Sequence, residues 1–322
     1  MEFFRDVNVD WMGKKWYFLG FSLVVTVAGI LSMLFWHGIP LGVDFKGGTI
    51  VTVRFTQPAH EDEIRSAIAK AGVKDARIQR YGPATNNEFM IAMEEKSANE
   101  SALDAGKQTI IHALDQSPMA GKYEVRNVDI VGPQVGKQLR SQALLATLYS
   151  LIGMLIYLWF RFELIYGAAA VAAVFHDTLF TIGVFSLTNT ELSLTVIAAI
   201  LTLIGYSMND TIVVFDRIRE NLKTMRRESM RDLVNKSINQ TLGRTILTSG
   251  LTFLTVISLY LFGGQVLRGF SFALVIGILI GTYSSIAVAA PMLVAYQEWR
   301  SGRGGRKLAA QAETGRRARV RA

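Results

Sequence analysis

Six long apolar runs decide what this chain can become. They lie near 16–36, 142–160, 164–187, 192–214, 245–262 and 269–296. The hydrocarbon core of a bilayer is ~30 Å thick and a helix rises ~1.5 Å per residue, so about 20 predominantly apolar residues make one crossing. Backbone N–H and C=O groups find no partners in lipid, and each run must satisfy its own as a helix. Half of the residues are hydrophobic, which agrees with a polytopic α-helical membrane protein of six transmembrane helices.

Lys and Arg set the orientation. Lys14 and Lys15 close an N-terminal segment, 1–15, ahead of the first helix, 16–36. Arg161 follows the second run. Arg217, Arg219, Lys223, Arg226, Arg227, Arg231 and Lys236 crowd a loop at 215–244 within the bundle 142–296, and Arg300, Arg303, Arg306 and Lys307 begin a basic tail, 297–322. Six crossings put all of these on one side, which the positive-inside rule makes cytoplasmic. Both termini are then expected inside, and "TNTE" (188–191) and "GGQVLR" (263–268) outside. The first run is longer than a signal-peptide core and no small-x-small cleavage site follows it, so it reads as an uncleaved anchor. The net charge of +8 collects where topology alone places it, which argues against a nucleic-acid partner. The chain has no cysteine, which removes disulfides, thiolate metal sites and thiol nucleophiles. Nothing in the sequence calls for a cofactor or a metal.

Residues 37–141 form one exported domain. "TIVTVRF" (49–55) alternates at period two and predicts a strand; "AHEDEIRSAIAKAG" (59–72) carries Ile64, Ala67, Ile68 and Ala71 at helical spacing, with acids first and Gly72 last. "ARIQRYG" (76–82) and "EFMIAME" (88–94) predict strands about a Gly-Pro turn, "NESALDAGKQTIIHALDQ" (99–116) a second helix and "YEVRNVDIVG" (123–132) a last strand. The order β-α-β-β-α-β is ferredoxin-like α+β. His112 falls on the surface of the second helix. "GVDFKGGT" (42–49) lacks the spacing and strand-loop-helix context of a phosphate loop, and reads as a tight turn in which Gly47 and Gly48 supply unusual backbone angles.

Ionisable groups at membrane depth cost ~2.5–3.5 kcal/mol on insertion scales and usually face a bundle interior or water. Here they are His176 and Asp177 in the third span, Asp210 in the fourth and Arg244 at the start of the fifth. Each also has a plainer reading: Arg244 as a snorkelling side chain near the headgroups, Asp210 as a residue near a helix end, His176 as a packing residue with one hydrogen bond. Helical spacing groups Arg244, Thr248 and Thr252 into one polar stripe, Asp177 with Thr181, and Ala198, Thr202, Gly205 and Asn209 into a narrow face. Ala273, Gly277, Gly281 and Ser285 repeat small-xxx-small in the sixth span, a helix-contact pattern. In the loop 215–244, Ile218, Leu222, Met225, Leu233 and Ile238 predict an amphipathic helix on the inner surface, its basic residues toward anionic lipids.

A low-dielectric setting favours the neutral form of a carboxyl group and an adjacent cation favours the charged one. A carboxylate whose distance to Arg244 changes can therefore bind and release a proton in turn. One charge crossing ~150 mV gains about 3.5 kcal/mol, and one pH unit adds ~1.4 kcal/mol. About 5 kcal/mol shifts a two-state domain equilibrium from minor to major. An intramembrane aspartyl protease would need a G-x-G-D context, whereas "SMN" precedes Asp210, so an enzyme is not expected. A passive scaffold of polar contacts remains open, as does a proton-coupled exporter of small molecules or lipids.

Four motifs then converge: "GVDFKGGT" after the first span, "DIVGPQVG" (129–136) entering the second, "GYSMNDTIVVFDRIREN" (205–221) closing the fourth and "LGRTILTS" (242–249) opening the fifth. In this order and topology the chain closely resembles the SecF family of bacterial protein secretion, within the resistance-nodulation-division (RND) superfamily. The resemblance runs from "FFRDVNVD" to about residue 296. It implies a half-RND bundle in the bacterial inner membrane whose other half is SecD. It further implies the SecYEG translocon, YajC and an unfolded preprotein as partners, and proton flow that moves the exported domains late in export. Asp210 and Arg244 match the family's motifs as a proton relay, with Asp177, His176 and Asn209 beside them.

Overall fold

The computed structural model describes residues 7–73, 76–81, 84–94, 100–162, 164–225 and 227–299. Residues 1–6, the Gly82–Pro83 turn and the basic tail from 300 onward lie outside the described residues. The first helix, α1 (Lys15–Leu31), ends in a π-helical turn at Ser32–Trp36. A single turn, α2 (Val43–Lys46), follows. The outer domain runs β1 (Gly48–Phe55), α3 (Glu61–Lys70), β2 (Arg77–Tyr81), β3 (Glu88–Glu94), α4 (Glu100–Asp115) and β4 (Tyr123–Val131). Its sheet is antiparallel in the order β2-β3-β1-β4, the ferredoxin-like arrangement. Period-two patterning drives it: Val51, Val53 and Phe55 bury one face of β1 beside Phe89 and Ile91, under Ile64 and Ile68 of α3 and Ile110 and Leu114 of α4. Acidic Glu61, Asp62 and Glu63 open α3 and Lys70 closes it, which suits the helix dipole. His112 is exposed on α4.

The remaining helices are α5 (Pro133–Arg161), α6 (Leu164–Leu187), α7 (Leu194–Thr224), α8 (Met230–Phe262) and α9 (Gly264–Ser284). A π-helical turn at Ser285–Ala289 carries the last of these on to residue 299. Among the described residues, six helices are long and apolar enough to cross a membrane.

Three boundaries differ from those read in the sequence. Helix α5 begins at Pro133 rather than at 142, so residues 133–141 leave the outer domain. Proline's fixed φ suits a first helical turn, and β4 hands over to α5 through Gly132 alone. The expected loop at 215–244 is mostly helix, because α7 continues to Thr224 and α8 resumes at Met230. Nor does that segment form a separate surface helix. Ile218, Leu233 and Ile238 are buried, and Asn221 Nδ2 donates to Ser237 Oγ at 2.8 Å and Gln240 Oε1 at 2.9 Å. The two helices therefore pair beyond their apolar stretches. Intrahelical hydrogen bonding does not stop where hydrophobicity does.

Small residues bring the helices close. The stripe Ala273, Gly277, Gly281 and Ser285 is buried. A Cβ on Gly281 would lie 2.9 Å from Ser207 Cβ, and one on Gly29 of α1 would lie 2.7 Å from Gly183 Cα of α6.

Candidate functional site

Two buried carboxylates are tied to α7, one standing on it and one reaching it from α6. Asp210 lies on α7 itself, only 2% exposed. Ser249 of α8 donates to its Oδ2 at 2.7 Å. Ser249 belongs to a buried hydroxyl stripe on α8 made by Ser237, Thr241, Thr245 and Ser249 at successive i, i+4 positions.

Asp177 of α6 is wholly buried. Its Oδ2 accepts from Ser207 Oγ of α7 and Ser284 Oγ of α9, each at 2.6 Å. His176 Nδ1 lies 3.0 Å from its Oδ1. Beyond it, His176 Nε2 stands 2.5 Å from Ser22 Oγ and 3.3 Å from Thr26 Oγ1 of α1. An Nδ1–H donating to Asp177 leaves Nε2 free to accept from Ser22, so a neutral imidazole satisfies both contacts. One carboxylate thereby ties α1, α6, α7 and α9 together.

Ser207 and Asp210 are three residues apart on α7. At 3.6 residues per turn their side chains diverge by about 60°. The first faces Asp177 and the second faces Ser249, so α7 is the one helix shared by both networks.

The expected site residues divide. Asp177 and His176 join in one network, and Asp210 forms another. Arg244 is exposed on α8, and the hydrogen-bond partner of Asp210 among the described residues is Ser249. The stripe read as Arg244, Thr248 and Thr252 is out of phase with the buried one: the Thr248 and Thr252 hydroxyls donate to their own helix's carbonyls, at 3.0 and 2.9 Å. That self-satisfaction lets hydroxyls sit away from a bundle interior. Asn209 is also exposed, and with Gly205 it lines a groove against Ser150, Met154 and Tyr157 of α5. Sequence reasoning passed over Ser22, Ser207, Ser249 and Ser284. A signal for Ser249 was available in its i, i+4 phase with Thr241 and Thr245. Among the described residues no three His, Cys, Asp or Glu side chains converge as a metal-binding group.

Residues 112–299 match the family described as protein export membrane protein SecD/SecF, C-terminal, and residues 34–59 match the SecD/SecF GG motif. The chain is 56% identical to the protein translocase subunit SecF of Koribacter versatilis, covering 94% of this chain and 95% of that one. It is 44% identical to SecF of Calditerrivibrio nitroreducens, over 90% and 94%. A crystal structure of SecDF from Thermus thermophilus, described as a translocon-associated membrane protein, superposes with a TM-score of 0.79 at 35% identity over 91% of this chain. A SecDF structure in a super-membrane-facing form gives 0.69 at 36% over 94%. This chain spans 39% and 40% of those two longer chains. A family match over 112–299, a motif match over 34–59 and relatives aligned nearly end to end lead to one conclusion: this multi-pass membrane chain belongs to the SecF family of protein translocase subunits.

Proposed function

We propose that the chain is the SecF half of a proton-driven motor that assists late protein export across the bacterial inner membrane. Its termini are cytoplasmic and its ferredoxin-like domain is exported. The single observation that carries this reading is Asp210, a carboxylate buried midway along a helix long and apolar enough to cross a membrane, with a hydroxyl partner on α8. Intramembrane ionisable groups in such settings mark ion pathways.

The relay runs through Asp210. Arg244 lies five residues before Ser249 on α8. It stands on a face left open by this chain, alongside the exposed Leu247, Leu251 and Leu254. SecD, as the second half of a pseudo-symmetric pair, covers that face and drives Arg244 toward Asp210. Protonation and release at Asp210 then alternate with the approach of Arg244. Asp177 and His176 hold α6 and α1 against α7 during this cycle, and Asn209 borders the groove between α5 and α7. The SecYEG translocon, YajC and the emerging unfolded preprotein complete the assembly, and anionic lipids meet the basic inner ends of α7 and α8.

Membrane vesicles depleted of this chain should export preprotein with ATP alone but lose the extra export that a proton gradient gives. Adding the chain back with SecD should restore it. Equal gradient stimulation with and without the chain would refute the proposal. The same preparation in mild detergent should yield SecD as the co-purifying partner, whereas a lone homo-oligomer would count against the pairing.

A further inference from the structure

The outer domain is fastened to the tip of the α6–α7 hairpin, and the fastening reaches the first turn of α7. Gly42 N–H donates to Leu192 O at 2.9 Å, and Leu192 N–H donates to Pro40 O at 2.7 Å. Between them Leu41 pairs with Leu192 as a parallel bridge. Asp44 of α2 then accepts from the backbone N–H of Leu194 at 2.8 Å. That N–H opens α7 and has no partner within its own helix. Ser193 takes the N–H of Val196 at 3.4 Å. A carboxylate from one domain thus caps a membrane helix of the other, where the helix dipole favours negative charge. From the sheet, Arg77 of β2 reaches the same tip: its Nη1 is 2.8 Å from Glu191 Oε1 and its Nη2 donates to Asn189 Oδ1 at 3.3 Å.

Little slack separates these contacts from the body of the domain. Only Gly47, at φ +83°, stands between α2 and the central strand β1. On the far side of α2, a Cβ on Gly136 of α5 would meet Phe45 O at 3.0 Å, and one on Gly47 would meet Pro133 Cα at 2.6 Å. Gly132 is the single residue joining β4 to α5. The domain base therefore has two attachments: a chain joint at Gly132–Pro133, and a side-chain and backbone clamp on the end of α7.

We infer that Asp44 and Arg77 are positioning residues that pass movement of α7 to the outer domain. The clamp stays closed through the cycle while the joint at Gly132–Pro133 turns. Any tilt or slide of α7 at the level of Asp210 then displaces one side of the domain base and rotates the sheet about the other. This inference rests on the proton-driven reading, and it names the path by which work at Asp210 leaves the membrane. Neither residue touches a proton or the preprotein.

The test uses the full chain with SecD in vesicles, reading gradient-driven proton flux and preprotein export separately. Asp44→Ala and Arg77→Glu should keep Asp210-dependent flux near the parent's while gradient-driven export falls about tenfold and about threefold. Asp44→Asn, which still caps a helix, should restore export, and Arg77→Glu combined with Glu191→Arg should recover most of what Arg77→Glu loses. A purely structural role would lower protein level, flux and export together, and charge exchange would restore all three together. Parent-like export in both single variants, or joint loss of flux and export, would overturn the inference. Absence of Asp210-dependent flux in the parent would instead remove the proton reading. In that case the clamp is judged by a thiol crosslink between Arg77→Cys and Glu191→Cys in this otherwise cysteine-free chain. A clamp that never opens predicts unchanged export when crosslinked, and loss reversed by cleaving the crosslink contradicts it.

Discussion

Ser249 donates to Asp210 across the α7–α8 seam at 2.7 Å, in the buried stripe of α8, while Arg244 stands on the open side of the same helix. The carboxylate thus has a hydroxyl as its hydrogen-bond partner, and among the described residues it forms no ion pair with Arg244. A site of this kind can hold a proton in one arrangement and lose it in another. A permanent Asp–Arg pair would stay charged throughout.

Removing the fixed partner should matter. Ser249→Ala leaves a buried carboxyl group with its hydrogen-bond partner gone and should lower stability by about 1–3 kcal/mol. Ser249→Thr keeps the hydroxyl and should stay closer to the parent. Thermal unfolding of the detergent-solubilised complex reads the difference, and equal midpoints for Ala and parent would show that the bond contributes nothing.

The Asp177 network should behave as a structural hub. Asp177→Ala strands the donors of Ser207 and His176 and leaves Ser284 only its 3.2 Å bond to Gly281 O. It should destabilise the bundle by about 3 kcal/mol or more, since each unpaired buried donor costs about 1–3 kcal/mol. Ser22→Ala removes one contact at the edge and should cost less. Unfolding midpoints that rank Ser22→Ala as the worse variant would contradict the network's hierarchy.

Close packing of α7 on α9 depends on glycine. At Gly281 even a Cβ would come within 2.9 Å of Ser207 Cβ, so Gly281→Val should push Ser207 away from Asp177 and cost about 1–3 kcal/mol through overpacking. Gly205→Ala, with nothing within 4 Å of its added Cβ, should be tolerated in the isolated chain. Comparing the two by unfolding in detergent separates a packed face from an open one.

An exported domain that handles unfolded chains should contact them by apolar surface or by a strand edge, because such substrates share backbone rather than sequence. β4 lies at the edge of the sheet with most of its outward residues exposed. Photocrosslinkers placed across residues 50–130 should capture a preprotein arrested in mid-export. Capture confined to positions on the inner ends of α7 and α8 would put the substrate on the wrong side for this account.

Much of this architecture could be read from residue patterns. Apolar runs of sufficient length have one solution in a bilayer, so the six helices followed from hydropathy. Alternation in "TIVTVRF" and helical spacing at Ile64 and Ile68 gave the outer domain its order. Helix ends were harder. Pro133, Thr224 and Met230 lie in polar sequence, where hydropathy is silent and hydrogen bonding continues. The phase of the polar stripe on α8 was harder still. Thr248 and Thr241 carry the same hydroxyl at the same spacing, and either can satisfy itself on its own helix. Only packing against α7 decides which of them is buried. The clamp at Asp44 joins residues 150 positions apart, a distance that no local pattern spans.

The central claim is that Asp210 must change its charge for the motor to run. Asp210→Asn keeps size and hydrogen-bonding capacity but cannot ionise, whereas Asp210→Glu still titrates. Preprotein export into vesicles should be measured with ATP constant and the proton gradient varied, for complexes that assemble to the same level. The account predicts a rising gradient response in the parent, a reduced but rising one for Glu, and a flat one for Asn. A passive role for the carboxylate predicts the reverse order, with Asn tolerated best. An Asn variant that responds to the gradient as fully as the parent would show that Asp210 is not the proton carrier.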